Sequence, residues 1–381
     1  MTGNLQIKNN KYYIVLNVYV SGKRTRKWIA TGLTAKGNKR KAEQMLRETL
    51  LDYEKKKTRA QNDVLFSDYV KVWLEEIQKT VDEVTFQGYE VLALTHVLPY
   101  FALSGLMLQK ITSDDLQAYF DQKSQHGRID GKGGLSARSL RLHMNVINQT
   151  MTLARKNGLI NSNPCEFVKL PKTQRYEYDF YSVEEMTKLF ETAKDDVLYP
   201  LIRITALYGL RRSELLGLQW DSIDFENGRL TIKHTVSKVT KTIAKDKTKN
   251  ASSFRSFPLT KEAYKIFADA KEREAENRKL FGNAYNESNY VFKWDDGRAF
   301  TPDYVSKHFA KILKKNNLRH IRFHELRHSC ASMLINSGYA LKDVQEWLGH
   351  ADIKMTANIY GHLDVARKMN IANMLDESLF S

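Results

Sequence analysis

The sequence predicts a multidomain fold, mainly α with small β elements. Three observations carry this. Apolar and polar side chains alternate with period two over residues 11–32, the mark of β-strands. Elsewhere apolar residues recur at spacings of three and four, the mark of amphipathic helices. Two β-like stretches around a Lys-rich run then interrupt the helical pattern late in the chain. The non-periodic segments "KKKTRAQND" and "KLPKTQRYEYD" divide the sequence into units at 1–56, 62–170 and 176–381. Its 381 residues suffice for two or three such cores.

In the first unit, "KYYIVLNVYVSGKRTRKWIATGL" predicts a hairpin turning at Ser21-Gly22, with a further short strand around Trp28–Thr31. A helix from about Lys39 to Glu54 places Ala42, Met45, Leu46 and Leu50 on one face, so the unit is a three-stranded sheet backed by one helix. The second unit reads as four helices. The first presents Phe66, Tyr69, Val70, Trp73, Leu74 and Ile77 on one side, and the second runs from about Thr85 to Tyr100. The third opens at Thr112 with Asp115 three residues on, a capping box; the fourth covers Ser136–Asn157 and stops at Gly158. In the third unit Ser182 and Glu185 cap a helix, and "YPLIRITALYGLRRSELLGLQW" is helix, break at Gly209, helix. "GRLTIKHTVSK" and "SSFRSFPLT" are strands around the loop "VTKTIAKDKTKNA", and helices resume at Thr260. The tail, 365–381, aligns Ile371, Met374, Leu375 and Leu379 in a stripe suited to docking.

Charge narrows the partner. Sixty Lys and Arg face 44 Asp and Glu, a net charge of +16, and residues 1–60 hold 15 of the basic against 4 of the acidic side chains. A polyanion, with nucleic acid first, is the natural partner. The opening residues lack the apolar core of a secretory signal, and the run "LIRITALYGL" is short and carries Arg203, so no membrane span is expected. Two cysteines, Cys165 and Cys330, in unrelated contexts fit a reducing cytoplasm and exclude a multi-cysteine zinc module.

The stretch "FHELRHS" (323–329) contains His324-Glu325-Leu326-Arg327-His328, a literal match to the H-E-x-x-H zinc signature. It also contains H-x-x-R, a pair suited to gripping phosphate. The extended zinc pattern needs glycine and histidine where Ala331 and Leu334 stand, and Arg327 would place a fixed charge beside a dication. Protease chemistry leaves the net charge unexplained. Two histidines on a helix surface, with no chemistry at all, are a better reading than zinc.

Phosphoryl transfer without a metal needs guanidinium forks on the non-bridging oxygens, a proton donor for the leaving oxygen, and a nucleophile. The chain offers them in order. "LYGLRRSELLGL" holds Arg211 with Glu214 at i+3; "AKDKTKNASSFRSFPL" offers Lys247 with Lys249 beside it; "FHELRHS" supplies His324 and Arg327 one turn apart; "WLGHADIKMTANIYGH" supplies His350 and Tyr360. Each has a bland alternative: adjacent arginines on a helix surface, solvated loop lysines, a helix-end histidine, one packing tyrosine among 19. Their joint occurrence, in order, in a basic chain is what carries weight.

These blocks resemble the tyrosine recombinase, or phage integrase, family, whose signature is Arg, Lys, His-x-x-Arg, His or Trp, and Tyr. The likeness spans about 180–365. The helical unit upstream is similar to the family's core-binding domain, and 1–56 to the arm-type DNA-binding domain of integrases from temperate phages and integrative conjugative elements. The resemblance implies a mixed α+β catalytic domain that cuts and rejoins DNA through a 3′-phosphotyrosyl link on Tyr360, without metal, ATP or any cofactor. It implies Arg211 and Arg327 on the transition state, Lys247 or Lys249 as general acid, His324 accepting the tyrosyl proton, His350 on the phosphate, and Glu214 orienting Arg211. DNA contacts are expected from Lys23, Arg24, Arg26, Lys27, Lys249, Arg138 and Arg141. Also implied are double-stranded DNA bearing core and arm-type sites, clamped between the helical and catalytic domains; a monomer that forms a homotetramer on DNA, its tail packed on a neighbour; an excisionase and a host DNA-bending protein; no membrane; and a cytoplasmic, nucleoid-associated location. A type IB topoisomerase shares the chemistry but relaxes supercoils as a monomer. A non-catalytic DNA-binding regulator would have little reason to keep every group.

Overall fold

The computed structural model describes residues 2–20, 23–60, 64–173, 179–238, 242–245, 254–353, 356–357 and 365–380. The chain divides into two compact units, Met1–Gln174 and Arg175–Ser381.

The first unit opens on a three-stranded antiparallel sheet of β1 (Thr2–Lys8), β2 (Lys11–Val20) and β3 (Lys23–Thr34), in that spatial order. The strand count matches expectation but the strands do not. β1 comes from the N-terminal residues, and 23–34 is one continuous strand rather than two pieces. The turn joining β1 to β2 is Asn9-Asn10, with φ of 50° and 56°. Asparagine tolerates this left-handed region, and two such residues in succession match the twist of a tight hairpin. Helix α1 (Lys39–Ala60) covers the sheet: Leu46 and Leu50 close on Gly3, where a Cβ would meet their methyls at 3.3 Å. Met45, expected on this stripe, is exposed. The helix also runs six residues past Glu54, into a stretch expected to be a linker, because Lys, Arg and Ala favour helix without any apolar period.

The helical bundle follows: α2 (Phe66–Gln78), α3 (Glu83–Leu92), a π-turn at Ala93–Val97, α4 (Leu98–Ser104), α5 (Ser113–His126) and α6 (Ala137–Lys156). Asp82 caps α3 and Thr112 with Asp115 forms the capping box of α5, so both starts follow from side-chain acceptors for otherwise orphaned N–H groups. Phe66, Phe101, Leu116, Tyr119, Leu140 and Ile147 are fully buried at its centre.

In the second unit α7 (Val183–Ala193), α8 (Tyr199–Tyr208), α9 (Arg212–Leu216), α10 (Lys261–Phe281), α11 (Pro302–Lys315) and the start of α12 (Glu325–Asn336) build one apolar core. The rest of α12 packs with α13 (Leu341–Leu348) in a smaller cluster of Cys330, Ala331, Ile335, Val344 and Leu348. A small antiparallel sheet orders β4 (Ile223–Asp224), β5 (Arg229–Ile232) and β8 (Arg255–Pro258), while β6 (Thr235–Lys238) pairs with β7 (Thr242–Lys245). Part of the presumed Lys-rich loop is therefore strand, because "TIA" alternates and can pair with β6. A last helix, α14, spans Val365–Phe380, with Met374, Leu375 and Leu379 exposed.

Candidate active site

Gly209 ends α8 at φ 61°, a left-handed cap, and the chain turns sharply into α9. Arg211 stands at the N-cap of α9, where its backbone N–H donates to Glu214 Oε2 at 2.9 Å and its Nη1 donates to Glu214 Oε1 at 2.6 Å. The neighbouring Arg212 turns away and donates to Ser306 Oγ, so the two adjacent arginines have different surroundings.

Helix α12 begins immediately after His324. Arg327 is 1% exposed, and it donates through Nη1 to the Gly209 carbonyl and through Nη2 to the Leu348 carbonyl, each at 2.7 Å. It thus ties the end of α8 to the end of α13. Burial, then Arg211 close by, pushes its pKa down to about 9, which still leaves it charged at neutral pH.

The C-terminal turn of α13 is the meeting point. Its last carbonyls have no partner within the helix. The carbonyl of Trp347 accepts from Arg255 Nε at 3.1 Å, that of Leu348 from Arg327, and that of Gly349 from Arg211 Nη2 at 2.8 Å. Three guanidinium groups from three different elements thus cap one turn, where cations also meet the negative end of the helix dipole. His350 follows, 4% exposed, with Nδ1 2.8 Å from Thr356 Oγ1. Burial, then the charges of Arg327 and Arg211, lowers its pKa to about 3, so it is neutral at pH 7.

His324 has an open edge, and its ring sits 5.3 Å from that of His328 at 87°. Desolvation of the packed side, followed by His328 and the surrounding arginines, lowers its pKa to about 4. A neutral imidazole can accept a proton. Glu325, the would-be zinc-protease base, is buried and bound by Arg322, whose Nη2 and Nε donate to its Oε1 at 2.6 and 2.9 Å. Among the described residues no cluster of three or more His, Cys, Asp or Glu could hold a metal, and no helix is long and apolar enough to cross a membrane.

The structure therefore brings Arg211, Glu214 and Arg327 together around the last turn of α13, with His350 next in the chain after the Gly349 carbonyl that Arg211 holds, and with His324 at the head of the same helix as Arg327. Arg327 itself faces two carbonyls rather than the surface on which His324 lies. Lys247, Lys249 and Tyr360 lie outside the described residues, as do the side chains of Lys23 and Arg24. Arg26 and Lys27 are exposed on β3, and Arg138 and Arg141 are exposed on α6. Arg255 was missed by the motif reading. The signal present was slight: a lone arginine between Phe254 and Phe257 at the start of a strand that the alternation suggests.

Comparison with known proteins identifies the family. Residues 180–367 match the model of the phage integrase family, and residues 65–124 that of the phage integrase N-terminal SAM-like domain. A tyrosine recombinase XerC-like protein of Caldanaerobacter subterraneus subsp. tengcongensis is 29% identical over 395 residues, covering 97% of both chains. The ICEBs1 integrase of Bacillus subtilis is 25% identical, covering 86% of this chain and 87% of its own. In fold, the Tn1549 transposon integrase in complex with a circular intermediate DNA matches with a TM-score of 0.64 at 22% identity, over 81% of this chain and 99% of that one. A lambda integrase tetramer bound to a Holliday junction matches at 0.58 and 19% identity, over 93% and 94%. The chain belongs to the phage integrase family and is a tyrosine recombinase, an enzyme of site-specific DNA cleavage and rejoining.

Proposed function

We propose that this enzyme integrates or excises a mobile element, cutting each strand of double-stranded DNA with Tyr360 as nucleophile. The observation that supports it most is the guanidinium cluster around the turn that leads into His350. A phosphodiester gains negative charge as it becomes pentacovalent, and charges fixed beforehand stabilise it without reorganising. Arg211, whose side chain is 28% exposed, is the more accessible guanidinium, and Arg327 behind it supplies fixed charge at short range.

In the first step the Tyr360 hydroxyl oxygen bonds to phosphorus as the bond to the 5′-oxygen breaks. The phenolic proton passes to His324, and Lys247 or Lys249 protonates the leaving 5′-oxygen. The products are a 3′-phosphotyrosyl link and a free 5′-hydroxyl, so the ester bond is kept for rejoining. His350 holds the phosphate by a hydrogen bond, and Glu214 fixes Arg211. Two rounds of strand exchange pass through a Holliday junction in a homotetramer, with residues 1–56 on arm-type sites. The kinship with the ICEBs1 and Tn1549 integrases favours a mobile element as the substrate.

The test is Tyr360→Phe on a nicked suicide duplex built from the DNA that flanks the encoding gene. The variant should bind the duplex as wild type does and form no covalent adduct. Undiminished adducts would remove Tyr360 as the nucleophile.

A further inference from the structure

We propose that Arg255 is a positioning residue for strand cleavage: by gripping both Glu214 and the last turn of α13, it sets where the Arg211 guanidinium and His350 stand. Arg255 opens β8 and its side chain is 9% exposed. Nη1 donates to Glu214 Oε1 at 3.1 Å and Nη2 to Oε2 at 2.9 Å, while Nε donates to the Trp347 carbonyl at 3.1 Å. The guanidinium also lies 5.3 Å from the centre of the Phe257 ring, which limits its rotation. A planar fork that reaches a carboxylate and a carbonyl together holds them at one fixed separation.

The consequence for Arg211 is direct. Each Glu214 oxygen accepts one bond from Arg211 and one from Arg255. Glu214 is 1% exposed, so without Arg255 a buried carboxylate would keep a single close partner and be free to pivot with it. The groups facing Glu214 are Arg255 from β8, Arg211 beside it and Arg327 from α12. Burial alone would raise its pKa, and these three outweigh burial and hold it at about 2. Removing Arg255 removes the largest of the opposing influences, so Glu214 should take up a proton at a higher pH and release Arg211.

The inference rests on the recombinase reading, and the experiment separates the two. Full-length wild type, Tyr360→Phe, Arg255→Met and Arg255→Lys are assayed for duplex binding and for the rate of covalent adduct formation between pH 5.5 and 8. Adducts in wild type that vanish in Tyr360→Phe establish the reading independently of Arg255. Arg255→Met should bind within about twofold of wild type yet cleave roughly 100-fold more slowly, the usual cost of misplacing reacting groups by about an ångström. Its rate should also fall further as pH drops, a limb that wild type lacks. Arg255→Lys keeps the charge without the fork and should recover part of the rate and lose the acid limb. Cleavage by Arg255→Met within threefold of wild type at every pH overturns the proposal. If Arg255→Met does not fold, Arg255→Lys decides: a rate about tenfold low with unchanged binding supports positioning, and a wild-type rate refutes it.

Discussion

Arg211 donates to the carbonyl of Gly349 at 2.8 Å, joining two residues 138 positions apart in the chain. Arg327 makes the neighbouring bond to Leu348 and a second to Gly209, two residues before Arg211. The loop that presents one arginine is therefore held by the guanidinium of the other, bonded to backbone carbonyls. The two guanidinium groups differ in exposure, 28% for the Arg211 side chain against 1% for Arg327, and this predicts different phenotypes.

Arg211→Ala should cost about 1 kcal/mol of stability, since Arg255 still satisfies Glu214. Arg327→Ala leaves two buried carbonyls unpaired and should cost about 3 kcal/mol. Both should slow adduct formation by roughly 1,000-fold while duplex binding changes little, because each removes fixed positive charge at short range from the transition state, Arg211 at the surface and Arg327 behind it. Urea midpoints, gel-shift binding and adduct rates measured on the same preparations check this. A parallel loss of binding and cleavage would mean the arginines hold ground-state DNA only.

Gly209→Ala tests the turn itself. Its φ of 61° disfavours a side chain, and an added Cβ would stand 2.3 Å from Cδ2 of Leu348, which is fully buried. Left-handed strain and overpacking together should destabilise the enzyme by about 3 kcal/mol. Because the Gly209 carbonyl anchors Arg327, cleavage should fall even where the variant is fully folded. Normal cleavage with reduced stability would show that the anchor tolerates movement.

The helices were legible in the sequence wherever a side chain announces a start. Thr112 with Asp115 and Ser182 with Glu185 form the capping boxes that their spacing suggests, and Gly209 breaks the helix as read. β1 was not legible, since its signal is the Asn9-Asn10 turn rather than a long alternation. The same contrast holds at the site. Arg211, Glu214, Arg327 and His350 could be picked out as residue types in order. Their mutual arrangement depends on the carbonyls of Trp347, Leu348 and Gly349, and a backbone oxygen has no letter in a sequence. Arg255 escaped notice for that reason: its partners are a carbonyl and a carboxylate already assigned to another arginine.

Stability should fall in mild acid. His328 and His350 have pKa values lowered to about 4 and about 3, by burial first and then by nearby arginine charge. An unfolded histidine titrates at about 6.5, so the unfolded chain binds protons that the folded one refuses. Their contribution is complete above that pH and is lost as pH falls towards the folded values, by at most about 1.4 kcal/mol per pH unit for each histidine. His143 in the helical bundle, at about 3, acts in the same direction. The urea midpoint of wild type should therefore drop between pH 7 and 5, and His350→Asn should flatten that slope by one proton's worth. Identical slopes for the two proteins would show that His350 is protonated in the folded state.

Deleting residues 1–56 should change how binding responds to salt. Lys8 and Lys11 are exposed on β1 and β2, Arg26 and Lys27 on β3, and the Lys8 ammonium lies 6.0 Å from the centre of the half-exposed Trp28 ring. Arg26 and Trp28, two apart on one strand, share a face of the sheet. Cations interleaved with an aromatic ring suit a phosphate backbone rather than an acidic protein groove, since each phosphate neutralised by a lysine or arginine releases a counterion. With about three or four such contacts, log Kd for a duplex carrying the arm-type sites should lose about 3 units of its slope against log salt when the segment is removed. Cleavage of a duplex holding only the core site should persist, because Arg211, Arg327 and His350 belong to the other unit. An unchanged salt slope would place the arm contacts elsewhere on the chain, with the exposed Arg138 and Arg141 of α6 as the next residues to substitute.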